Sequence, residues 1–251
     1  MRRTLGLMRQ FGLDPVKTLL ALKGLATFVF DAFRFLKKSG FSRISLSPIL
    51  GDFHDDAGLA TGHYFWQDLI CAKWINDVNP KSHFDVGSRV DGFIAHLLSF
   101  REVILLDIRS LENVIPQLSI IKGDAQLGFE DINRKFDSVS SLHSIEHFGL
   151  GRYGDTIDPN GHITGLINIA GLVDTGGYLY ISFPIGESQV EFNAQRIIAP
   201  DFPFEYLQDF TLEDFVLIPW KGAPIYNLDP QKLSDLTWGN AGLYKFKKTS
   251  L

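Results

Sequence analysis

From Ser82 onward, short apolar runs alternate with amphipathic stretches, which predicts a mostly parallel sheet with helices on both faces. Strands are expected near 83–87, 102–107, 118–122, 136–142 and 177–183, with a final pair near 215–219 and 242–247, giving a seven-stranded sheet. An apolar helix from Gly165 to Val173 leads through Gly176-Gly177 into the fifth strand, which ends at Pro184-Ile185-Gly186. Upstream, His63 to Asn79 carries Phe65, Trp66, Leu69, Ile70, Ala72, Trp74 and Ile75 on a helical stripe closed by Asn79-Pro80. Gly51 to Gly62 reads as a loop. Residues 1–50 read as two short helices and a polar exit, with Leu19, Leu20, Leu22, Leu25, Phe28, Val29, Phe33 and Leu36 at helical spacing. The expected organisation is a helical extension over 1–60 and an α/β domain over 61–251.

At 251 residues and 45% hydrophobic content, the chain is long enough for one α/β domain with a substantial core. A net charge of −5 disfavours nucleic acid as the main partner, because phosphate binding needs a basic face. The single cysteine, Cys71, lies among Leu69, Ile70 and Ala72 and reads as an inert core thiol. Charge is uneven: residues 1–43 hold nine Lys and Arg against Asp14 and Asp31. Lys23 and Asp31 interrupt the apolar run too early for a membrane span, which needs about 20 apolar residues. No small-residue cleavage pattern follows it, so the expected compartment is the cytoplasm. Two readings of the basic helix stand side by side. It lies on the anionic inner face of a membrane or against a protein partner, or it docks on the chain's own core.

The chemistry concentrates in His83 to Asp107, where an apolar run ends in Asp85-Val86-Gly87-Ser88, a helical segment follows, and a second run, Val103 to Leu106, ends in Asp107. Glycine at 87 permits a sharp turn and close approach of a ligand, and an acid about 20 residues later stands where a Rossmann-type fold grips a ribose. The dinucleotide fingerprint G-x-G-x-x-G is absent, because Ser88-Arg89-Val90-Asp91-Gly92 follows Gly87. Asp91 at the helix start would repel a pyrophosphate, which favours a phosphate-free nucleoside cofactor such as S-adenosylmethionine (SAM).

Asp85-Val86-Gly87, Asp107, Gly123-Asp124-Ala125, and Phe136-Asp137-Ser138-Val139 leading to Ile145-Glu146-His147 resemble, in order, the motifs of class I SAM-dependent methyltransferases. Gly62-His63-Tyr64-Phe65, the run Asp85 to Phe93 and the run Glu146 to Asp155 resemble, more narrowly, an uncharacterised methyltransferase-like family met among surface-polysaccharide genes. The resemblance spans roughly residues 60–247 and departs at Arg89 and Asp91, where glycines are usual. It implies a Rossmann-like class I fold and a cofactor set of Asp85, Gly87, Ser88, Arg89, Asp107, Ile108, Asp124, Ala125, Leu142 and His143. Asp124 and Ala125 would meet the adenine; the alternative for Asp124 is an N-cap. His63, Tyr64 and Asp68, on a helix that covers the pocket in these enzymes, are further candidates, against a satisfied polar role.

Methyl transfer to an alcohol needs alignment and a base, and a neutral imidazole suits the task. His147 is the first choice and His143 the second, with Glu146 and Asp155 orienting either ring. The alternative is structural hydrogen bonding. His143 to His147 also spells H-x-x-E-H, a zinc pattern that requires both histidines on one helical face, whereas His143 is expected at a strand end, so no metal is assigned. Arg152 and Tyr153, in a loop with three glycines, and Asn193 and Arg196, after the fifth strand beside Glu191, Phe192 and Gln195, are the substrate-binding candidates. The resulting expectation is a SAM-dependent O-methyltransferase acting on a sugar hydroxyl of a surface glycan or its precursor. The rivals are a catalytically silent scaffold in glycan assembly and an NAD-dependent enzyme.

Overall fold

The computed structural model describes residues 14–51, 58, 60–112, 114–129, 132–234, 236 and 239–249, which fall into two compact units, 1–59 and 60–251.

Residues 1–13, which the expected pair of helices also covers, lie outside the described residues; in the first unit the described residues form one helix, α1 (Pro15–Lys38). Its apolar spacing continues past Lys23 and Gly24 without a breaker. Asp14 caps it, accepting from Val16 N (3.1 Å) and Lys17 N (3.2 Å), and Pro15 supplies a preset φ at its first position. Gly24 alone in the helix is buried. A Cβ there would lie 2.4 Å from Leu50 O, so the chain after the helix returns across this side.

The second unit is a sheet of eight strands, β1 (His83–Val86), β2 (Val103–Asp107), β3 (Leu118–Lys122), β4 (Phe136–Leu142), β5 (Val173–Ile185), β8 (Phe210–Pro219), β9 (Ile225–Tyr226) and β10 (Asn240–Lys248), in the order β3-β2-β1-β4-β5-β10-β8-β9. All seven expected strands are present; the two-residue β9 adds an eighth at the edge. The first five run parallel, and β10 inserts antiparallel between β5 and β8. A hairpin of β6 (Gln189–Glu191) and β7 (Gln195–Ile197) follows β5.

Two apolar layers explain the strand pattern. Along β2, Val103 and Leu105 join one cluster with Cys71 and Ile75 of α2 (His63–Val78) and Leu97 of the short α3 (Ala95–Leu98). Leu106 faces the opposite cluster with Leu166 and Ile169 of α4 (Gly161–Gly171). This strict alternation pins the register, since a one-residue slip would expose both faces. The helix expected to run to Val173 ends earlier. Gly176, at φ 80°, allows a bulge that brings Val173 into pairing with Phe136, so β5 starts sooner than anticipated. Strand order reverses between β1 and β4, and the carboxyl ends of these strands open a crevice where doubly wound sheets bind ligands.

Candidate active site

A cavity of about 830 Å³ lies at those strand ends, within the usual size of a small-molecule site. Its lining includes Gly87, Arg89, Asp91, Asp107, Ile108, Asp124 and Ala125 together with Tyr64, His143, Ser144, His147, Arg152, Tyr153, Asp155, Gln195 and Trp220. A smaller cavity of about 100 Å³ shares Tyr64, His143, Gln195 and Trp220 with it and adds His63.

Gly87 turns at φ 75°, and a Cβ there would meet Ser144 Oγ at 2.2 Å, so the loops after β1 and β4 approach more closely than any other residue permits. Asp85 and Ser88 hold this turn from beneath. The carboxylate of Asp85 accepts from Ser88 N (2.9 Å), Ser88 Oγ (2.7 Å) and Ser140 Oγ, and Ser88 Oγ accepts from Leu142 N (3.1 Å). Burial raises the Asp85 carboxyl to about 7.

Beyond β4, His143 adopts a left-handed conformation (φ 48°), and a single 3-10 turn, Ile145–His147, follows. His143 therefore stands outside the turn that carries His147, and the two do not share a helical face. Glu146 is 1% exposed and sits between the imidazoles. Its Oε1 lies 2.7 Å from His143 Nδ1 and 3.8 Å from His147 Nε2. His147 Nδ1 is 2.8 Å from Ala194 O, so it carries the proton and donates, leaving the Nε2 lone pair free. Burial pushes the His147 pKa down, and the neighbouring Glu146 charge only partly restores it, so the ring is neutral at neutral pH. Burial alone would raise Glu146, but the charge and hydrogen bond of His143 and the charge of His147 reverse the shift and keep it ionised. His63 stacks on His143 at 5.4 Å, and burial followed by the charge of His143 lowers it to about 4.

Comparison with known proteins bears on the fold. A family model described as a Caenorhabditis protein of unknown function, DUF268, matches residues 100–201. No curated protein matches the sequence. Among solved structures, the Burkholderia thailandensis 1,6-didemethyltoxoflavin-N1-methyltransferase with bound S-adenosylhomocysteine is 14% identical at a TM-score of 0.52, over 95% of this chain and 92% of that one. A S-adenosylmethionine-dependent methyltransferase from Clostridium acetobutylicum is 12% identical at a TM-score of 0.50, over 75% and 93%. The [4+2]-cyclase SpnF is 9% identical at a TM-score of 0.53, over 77% and 89%. The fold is that of the class I SAM-dependent methyltransferases.

Within this methyltransferase fold several expected site residues take other roles. Leu142 is 3% exposed in the core, and Asp85 and Ser88 support the turn without lining the cavity. Asp124 lines the cavity and also caps the 3-10 turn Ala125–Leu127, accepting from Gln126 N at 2.9 Å. Asp155 orients no imidazole. Its carboxylate accepts from Gly149 N (2.8 Å), Gly151 N (3.1 Å) and Tyr153 N (3.1 Å) and so shapes the loop. Arg196 is 4% exposed and cannot reach a substrate; its guanidinium donates to the carbonyls of Glu146, Phe148, Asp158 and Pro159. Asn193 is exposed at the tip of the β6–β7 turn (φ 63°), where asparagine tolerates the left-handed region. That hairpin meets the site through Ala194 O instead, which accepts from both His147 Nδ1 and Arg152 Nη1. Asp68 is buried beside Gln67, and burial raises it to about 6.

Arg109 was not anticipated from sequence. Its Nε and Nη2 bind the two oxygens of Asp107 (2.9 and 2.7 Å), and its guanidinium covers the Tyr153 ring at 4.7 Å. It links Asp107 to Tyr153. A cation two residues past a strand-end acid was the available signal. Arg89 pairs with Asp91 (2.7 Å) at the mouth, which offsets much of the negative charge there. The expected repulsion of a pyrophosphate by Asp91 is therefore weakened by its own ion pair. Gln195, in the segment expected to face the substrate, and Trp220, at the end of β8, also line the cavity; Trp220 is too distant in sequence to be placed there in advance.

Proposed function

We propose that the chain is a SAM-dependent O-methyltransferase whose acceptor is a sugar hydroxyl of a surface glycan or of its lipid- or nucleotide-linked precursor. The observation that carries this reading is that Gly87, Asp107, Asp124, Ala125 and His147 line one cavity. Among these lining residues, Asp107 would hold the ribose hydroxyls of an adenosyl cofactor by exchanging one contact of Arg109, and Asp124 and Ala125 would meet the adenine. SAM, when bound, supplies an electrophilic methyl on a sulfonium. His147 Nε2 takes the acceptor's proton, and the Nε2–H then faces the Glu146 carboxylate. The protonated ring then carries positive charge beside the buried Glu146 carboxylate, which stabilises it. Gln195, Arg152 and Tyr153 offer the polar and aromatic groups that hold a hydroxylated ring. The sugar is supported by the sequence resemblance and by this lining.

A second reading, a silent scaffold, draws on one observation: both oxygens of Asp107 are already engaged by Arg109. Incubation with methyl-labelled SAM and a panel of nucleotide sugars separates the two. Label is expected in an ether on the sugar. Label confined to amine acceptors, or bound SAM with no transfer to any hydroxyl, contradicts the O-methyltransferase.

A further inference from the structure

Helix α1 carries an apolar face that is exposed among the described residues. Leu22, Leu25, Val29, Phe33 and Leu36 follow a 3-4-4-3 spacing, which puts them on one side of a 3.6-residue helix. All five are exposed, Leu22 at 63% and Val29 at 59%. Gly24, where the returning chain packs, lies on the opposite side, so the returning segment leaves the face open. That segment adds exposed Phe41, Ile44 and Ile49 in a stretch without regular secondary structure.

Charge decides what this face fits. Lys23, Arg34 and Lys37 run along one border, and residues 14–51 hold six cations against Asp14 and Asp31. Asp31 is already near Arg34 at 3.9 Å. The whole chain is acidic at −5, so the positive charge is local to this segment. A helix about 36 Å long with a wide apolar stripe and a cationic border is the form that lies in a bilayer interface, its Lys and Arg stems reaching outward to headgroups. No helix among the described residues is long and apolar enough to cross a membrane.

We propose that α1 docks the protein flat on an anionic lipid surface, with the Leu22–Leu36 face in the acyl boundary and Lys23, Arg34 and Lys37 at the headgroups. This does not depend on the methyl-transfer reading. The test is flotation of the full chain with phosphatidylcholine vesicles, with and without phosphatidylglycerol. Binding should be at least about tenfold stronger with the anionic lipid and should weaken as salt is raised. The double variant Lys23→Glu/Lys37→Glu should weaken it by about tenfold or more. Leu25→Glu/Phe33→Glu should abolish it, with the circular-dichroism spectrum unchanged. Three outcomes overturn the proposal: no binding to either vesicle, binding indifferent to both variants, or a dimer in light scattering that Leu25→Glu/Phe33→Glu dissolves. The last would assign the face to a second copy of the chain.

Discussion

Replacing His147 with alanine should lower kcat by about 100-fold or more while leaving the affinity for S-adenosylhomocysteine within a few-fold, because the ring supplies the base but not the adenosine wall. Its Nδ1–H is anchored on Ala194 O and its Nε2 stands 3.8 Å from Glu146 Oε1 in a ring that lines the cavity, so one tautomer is preset for proton abstraction. The pH dependence has a definite sign. Burial lowers the His147 pKa, so the basic form is kept through neutrality, and kcat/KM should fall only as the pH drops below the ordinary histidine value of about 6.5. The Glu146 charge raises that pKa. Glu146→Gln removes this influence, so the acid limb should move further down while the plateau rate also drops, a weaker base being left in place. A limb that moves up, or turnover retained in His147→Ala, would transfer the role to another group. The first choice would then be His143, whose Nε2 is buried with no hydrogen-bond partner.

Arg196→Ala should be the most damaging single change to the fold around the site. The guanidinium is buried and ties four carbonyls on either side of the 148–160 loop, and no neighbouring group can replace its donors. Leaving those acceptors unpaired out of water costs about 3 kcal/mol or more. At about 2–4 °C per kcal/mol for a unit of this size, the melting temperature should fall by about 10 °C. Calorimetry reads this directly, and a fall under about 2 °C would mean the loop is held by other contacts. The Asp155 carboxylate, accepting three backbone N–H groups of the same loop, should then be unable to hold it alone.

What was legible in the sequence was local and periodic. The buried alternation of Val103 to Leu106, the turn at Gly87 and the acid at Asp107 report on the residue's own element, and each stands where the pattern put it. The described part of the N-terminal extension is one helix that runs through Lys23 and Gly24, and Gly24 is the point where Leu50 packs. Arg196 and Asp155 were misassigned for a common reason. Asp155 in a glycine-rich loop and Arg196 among amides beside Phe192 look ligand-directed until the backbone groups they satisfy are seen, and for Arg196 those lie up to 50 residues away. Asn193 marked a turn whose contribution is a carbonyl, which no side-chain pattern encodes.

Isothermal titration of the full chain with S-adenosylhomocysteine tests the adenosine site most directly. One-site binding is expected, absent with NAD, and reduced about tenfold or more by Asp107→Ala through loss of a charged hydrogen bond to the ribose. Neither heat nor thermal protection with SAM or S-adenosylhomocysteine, or tighter binding of NAD, would contradict the assignment of this cavity.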